Sequence, residues 1–244
     1  MLKYFCKTIL FLSFCFAKAQ ETKKDTIAPK PKTTRYGLRV GVDAVKFAQS
    51  FFEKDYKGLE LVGDFKLSKK YYLAAEIGNE NKTTIEDHFS FNSKGTYIKA
   101  GFDYNLYENW LGMQNMTYVG LRYGVSTFSE TLYDYTIYNR SQYFSPSPTF
   151  VSNEKFDGLS AQWLEVVGGI KAEVFTNLYL GFSVRLNYLV SASKPDNFES
   201  LYIPGYNRTY GGKFGFGLNY TVSYFLPLFK STGINKVKSQ KKKV

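Results

Sequence analysis

Beyond residue 15 this chain has no cysteine, and in all 244 residues it has one histidine, His88. Disulfide scaffolding and thiol chemistry are therefore excluded from everything after Cys15. A zinc centre built from His and Cys lacks its ligands. Segments with apolar residues at 3.6-residue spacing are also missing, so no amphipathic helix is expected. No apolar run is long enough to cross a bilayer as a helix, since the longest, residues 9–17, falls well short. Acid is absent from residues 230–244, which hold six lysines and no carboxylate.

What the chain has in abundance is aromatic side chains, 21 Tyr and 22 Phe, 18% of residues with the two Trp. Tyr and Trp are amphipathic and collect where an apolar phase meets water. The first residues, MLKYFCKTILFLSFCFAKAQ, combine Lys3 and Lys7, a short apolar run and Ala17-Lys18-Ala19. That pattern predicts a secretory signal peptide over 1–19, cleaved after Ala19. Residues 20–34, QETKKDTIAPKPKTT, are polar and Pro-containing and predict a disordered linker.

The net charge of +11 belongs to the ends of the chain. Residues 36–229 hold 18 basic and 19 acidic side chains, net −1. A nucleic-acid-binding domain would carry its basicity on the folded body, so no nucleic-acid partner is expected.

Between the ends, period-two alternation recurs eight times. In the last instance Phe214, Phe216, Leu218, Tyr220, Val222 and Tyr224 alternate with Gly215, Gly217, Asn219, Thr221 and Ser223. In others, Leu73 and Ile77 oppose Tyr72 and Glu76, and Val119 and Leu121 oppose Gly120 and Arg122. The connections alternate between short (SKK, TN) and long, as in outer-membrane barrels with short periplasmic turns and long extracellular loops. The long ones are KFAQSFFEKDYK, NENKTTIEDHFSFNSK, the stretch near Lys194–Arg208 and the loop 128–160; LYENWLGMQNM, 106–116, is longer than this scheme requires of a turn.

One face of these strands is apolar and uncharged. The other carries Arg39, Asp43, Glu60, Asp64, Lys66, Glu76, Lys99, Asp103, Arg122, Glu165, Lys171, Glu173 and Arg185. The same alternation fits a soluble barrel with an apolar lining. The export signal, the aromatics at strand ends and the loop lengths favour the inverse, with the apolar face toward lipid. Strands meet lipid only when closed into a barrel, because no backbone group can be left unpaired there. Near-equal numbers of opposite charges then pair in the interior, which eight strands leave just wide enough to fill with side chains.

The sequence thus predicts an all-β protein, an eight-stranded antiparallel up-and-down transmembrane barrel over 35–229, with a basic periplasmic tail over 230–244. Ten strands result if 128–160 forms a further transmembrane hairpin. The ending AKAQ, the linker and the last strand, GKFGFGLNYTVSYFLPLF, resemble an outer-membrane β-barrel family of Bacteroidota, a domain of unknown function. Its architecture is similar to that of small eight-stranded outer-membrane proteins. The resemblance covers about residues 35–229 and implies location in the outer membrane of a Gram-negative cell. Gly217, Tyr220 and Val222 or Tyr224 also resemble the last-strand signal read by the barrel-assembly machinery, except that a tail follows Phe229.

Little in this pattern points to catalysis, and no enzyme, cofactor or metal is expected. His88 and Ser90, in EDHFS, resemble the His-x-Ser spacing of outer-membrane lipid A deacylases, with Glu86 or Asp103 as orienting acid. Such a lipid-modifying hydrolase would use His as base for Ser. It is the alternative to a structural or surface-interaction role, and a narrow solute channel is a third. The partners expected are outer-membrane lipid, the assembly machinery, an extracellular ligand at the aromatic loop 128–160, and anionic lipid or cell wall at the tail.

Overall fold

The computed structural model describes residues 33–109, 113–136, 149–193, 200, 202–208 and 212–232. The expected signal peptide, nearly all of the linker, most of the tail and the tip of the loop 128–160 lie outside these residues.

Eight antiparallel strands form a closed barrel: β1 Thr33–Asp43, β2 Tyr56–Lys66, β3 Tyr71–Glu86, β4 Phe89–Asn105, β5 Met116–Thr136, β6 Thr149–Phe175, β7 Leu178–Ala192 and β10 Phe214–Thr232. Each pairs with its neighbours in sequence, and β1 closes the ring against β10. The wall begins and ends slightly outside the expected 35–229. The ring has eight strands, not ten, because the described part of 128–160 lengthens β5 and β6 and adds no strand to the ring. The chain between β7 and β10 contributes a separate small hairpin, β8 Tyr202–Ile203 with β9 Asn207–Arg208.

Besides the stretch that holds this hairpin, three connections expected as loops prove to be structured. NENKTTIEDHFSFNSK is the paired end of β3 and β4, which run on until Glu86 meets Phe89 across Asp87-His88. The described part of 128–160 is likewise strand, paired out to Thr136 and Thr149 with two bulges. Tyr138, Tyr143 and Phe144 fall outside the described residues. A helix, α1 Ala44–Phe52, runs into KFAQSFFEKDYK and is capped by Asp43, whose carboxylate accepts from the amides of Val45 and Lys46. The expectation of no amphipathic helix was wrong. At nine residues the helix is too short for a clear 3.6-residue signature, although an N-cap Asp is visible in the sequence.

Alternation decides which side chain faces where. Outside stand Leu38, Val40, Leu59, Leu61, Leu73, Ile77, Ile98, Phe102, Val119, Leu121, Leu164, Val166, Phe182, Leu186, Phe216 and Leu218, all exposed. Inside, three layers fill the lumen. At the end with the short turns lie Tyr72, Met116, Tyr118, Tyr179 and Phe225. The middle is charged. Toward the other end, Tyr97, Phe128, Leu159 and Trp163 receive Ile203 and Tyr206 of the small hairpin. Two glycines make this upper layer fit. A Cβ at Gly124 would stand 2.3 Å from the Trp163 ring, and one at Gly205, where φ is +82°, would stand 2.4 Å from Tyr97.

Candidate functional site

The interior charges form the densest chemical constellation in the described residues, and the pleat alone brings them together. Charged residues at every second position of different strands point into one narrow cylinder, where desolvation forces them to pair.

In the middle layer Arg185 grips Glu76 with two prongs, Nη1–Oε2 2.5 Å and Nη2–Oε1 3.1 Å, and reaches Glu165 at 3.3 Å. Lys99 Nζ stands 3.1, 3.6 and 3.7 Å from carboxylate oxygens of Glu165, Glu76 and Glu60. Arg122 pairs with Asp103 at 2.7 Å. Nearer the short turns Arg39 donates to Asp64 at 3.0 Å, and Lys171 meets the other oxygen of the same carboxylate at 2.6 Å. Arg39 also lies over the Tyr179 ring at 4.6 Å, where the π face adds attraction. Glu173 accepts from Tyr179 at 3.0 Å and faces Arg35 at 3.6 Å. Lys66 sits over the rings of Tyr36 and Tyr72 at 5.6 and 5.8 Å. Asp43 is buried, caps α1 and accepts from Asn219. The structure thus places all thirteen expected interior residues on the lumen side.

Several partners escaped the sequence reading. Lys46 enters from α1 and bonds Glu60 at 2.6 Å, Glu80 at 2.7 Å and the Tyr97 hydroxyl at 2.6 Å. Glu80 accepts from the Tyr202 hydroxyl at 2.7 Å and the Gly205 amide at 3.0 Å, so the same carboxylate that holds the helix also holds the small hairpin. Trp163 Nε1 donates to Glu165 at 2.7 Å. Glu80, Glu130 and Trp163 were legible: continuing the inward parity of β3, β5 and β6 reaches them. Lys46 and Tyr202 were not, since neither belongs to a wall strand.

Packing leaves little free space. A cavity of about 20 Å³ lies among Arg39, Asp64, Glu76, Arg122, Lys171 and Arg185, room for about one water and too small for a solute.

The His88–Ser90 pair sits far out on the β3–β4 hairpin. His88 is exposed in the turn. Ser90 Oγ donates its one proton to the Asp134 carboxylate, an arrangement with an acid where a nucleophile's base would stand. Glu86 accepts from Arg208 at 2.8 Å, and Asp103 lies in the lumen with Arg122. Among the described residues no group of three or more His, Cys, Asp or Glu is placed to hold a metal.

Among solved structures the chain is similar to Ail, the attachment invasion locus protein of Yersinia pestis, with 10% identity and a TM-score of 0.38, covering 80% of this chain and 99% of that one. A likeness at that level bears no weight, and the barrel stands on its own strand pairing. No curated protein matches the chain. The family model described as domain of unknown function (DUF6048) matches residues 1–231, and the chain belongs to that family.

Proposed function

We propose that this protein is an outer-membrane barrel with an occluded lumen, whose role is structural or surface-interacting and not catalytic. One observation carries the reading: around the whole ring the outward side chains are apolar, while the charged side chains at the same height turn inward and pair. In water this arrangement would expose a continuous apolar belt, far beyond the patches a soluble monomer tolerates. In lipid it is the favourable one.

An export signal at 1–19 fits that destination, with the barrel-assembly machinery and outer-membrane lipid as partners. The rigid, plugged cylinder would hold β3–β4 and β5–β6 out beyond the apolar belt. Tyr133, Tyr135 and Phe150 are exposed on the longer hairpin and offer the surface for an extracellular ligand.

The test is reconstitution of the full chain into phosphatidylcholine vesicles and planar bilayers. The expected results are a heat-modifiable, detergent-requiring barrel and no single-channel steps. Stable conductance would favour a solute channel. A monomer soluble without detergent would end the membrane reading.

A further inference from the structure

The wall has a notch. β1 stops at Asp43, which pairs with Thr221, so Phe214–Tyr220 of β10 pair only with β7. On the opposite side β1 leaves β2 at Leu61, so Tyr56–Glu60 pair only with β3. Two strand edges therefore face each other across a gap that the upper half of a longer β1 would have filled. Helix α1 sits there instead, packed against β2 and β10.

Its two faces repeat the inversion of the wall. Toward the lumen go Lys46 and Ser50, one turn apart. Lys46 reaches Glu60 and Glu80. Ser50 Oγ accepts from the Gly58 amide at 2.7 Å and lies 2.7 Å from the Gly58 carbonyl oxygen, a side-chain stand-in for a missing strand bond. Away from the lumen go Val45, Phe47, Phe51 and Phe52, with Phe51 72% and Phe52 86% exposed. No residue of the helix is fully buried. A short helix packed on a soluble core would do the reverse, turning phenylalanine in and lysine out.

We propose that the outward face of α1 is a lipid-contact surface, seated against the acyl chains of the outer leaflet, and that it completes the apolar belt where β1 ends. The occupant follows from continuity, for the strand residues flanking the notch at this height, Leu59 on β2 and Phe216, Leu218 and Tyr220 on β10, are exposed and apolar as well. Helices with an apolar face of this kind lie in the membrane interface with that face toward the chains. The inference rests on the outer-membrane reading above.

Its test uses the full chain with Cys6 and Cys15 replaced by Ser and one spin label, at Phe51→Cys, Phe52→Cys, Leu218→Cys or Lys94→Cys, in phosphatidylcholine vesicles. Collisions with molecular oxygen, which concentrates among acyl chains, are compared with collisions with a water-soluble nickel chelate. The labels at 51 and 52 are expected to match the wall position 218, with an oxygen-to-nickel ratio several-fold above that at 94. A nickel-dominated signal at 51 and 52 with an oxygen-dominated one at 218 overturns the proposal and leaves the membrane reading standing. Nickel dominance at 218 as well overturns both. Spin–spin broadening at 51 would make a second copy the occupant and overturn the lipid assignment.

Discussion

Arg185 on β7 and Glu76 on β3 form a two-pronged ion pair straight across the lumen, with three strands between them whichever way the ring is followed. The pair ties opposite walls together, and removing either partner takes from a buried charge its closest counterion. Glu76→Gln is expected to cost about 3–5 kcal/mol. The double variant Glu76→Gln, Arg185→Met should lose less than the sum of the two single losses, with a coupling of about 1 kcal/mol or more. Urea unfolding in vesicles, read by gel mobility, gives both numbers. Strict additivity would mean that the contact is not made.

The small hairpin is an aromatic stopper above the charged layer. Tyr206 packs edge-on against Trp163 at 5.9 Å, and the Tyr202 hydroxyl donates to Glu80. Tyr206→Ala should cost about 3–5 kcal/mol through the void it leaves, and Tyr202→Phe about 1.5–3 kcal/mol through the lost bond to a carboxylate. Neither should open a conducting path, because Arg185, Lys99 and their carboxylates still fill the lumen beneath. Bilayer recordings of both variants check this.

Glu130 makes stability depend on pH. It lies above the apolar belt on β5, fully buried, and burial raises its pKa to about 7 while the Ser200 hydroxyl pulls it the other way. The folded protein therefore keeps a proton that the unfolded chain gives up near 4.5. This group's contribution is greatest below that pH and is lost as pH rises through about 7. At about 1.4 kcal/mol per unit the loss amounts to roughly 3 kcal/mol. Glu130→Gln should flatten that slope between the two pH values in urea melts. An unchanged slope would show that Glu130 does not cause it.

At the seam, Ser50→Ala removes the acceptor of the Gly58 amide and should cost about 1–3 kcal/mol. Hydrogen exchange at Gly58 should accelerate, while the amides of Leu73 and Ile77, deep in the β3 pairing, stay protected. Equal acceleration at all three sites would argue for global loosening instead of a local breach.

Much of this was legible along the chain. Period-two alternation in β3, β4, β6 and β7 places Glu76, Lys99, Glu165 and Arg185 on one face and Ile77, Ile98, Leu164 and Leu186 on the other, because successive Cβ atoms must point to opposite sides of a strand. Charge balance in the body of the chain then implied pairing. Which carboxylate each cation would choose was not legible, since Arg185 and Glu76 are 109 residues apart and meet only once the ring is closed.

The sequence by itself determined the alternation, and with it the inside and outside of every wall strand, because that property is local to a strand. Tertiary structure decided the notch between β2 and β10, the helix that fills it and the hairpin that folds into the lumen. Lys46, Ser50 and Tyr202 take their meaning from partners on other strands, and no local periodicity carries that information. Once the cylinder closes, buried polar groups must find partners, and each of these side chains is held in place by one.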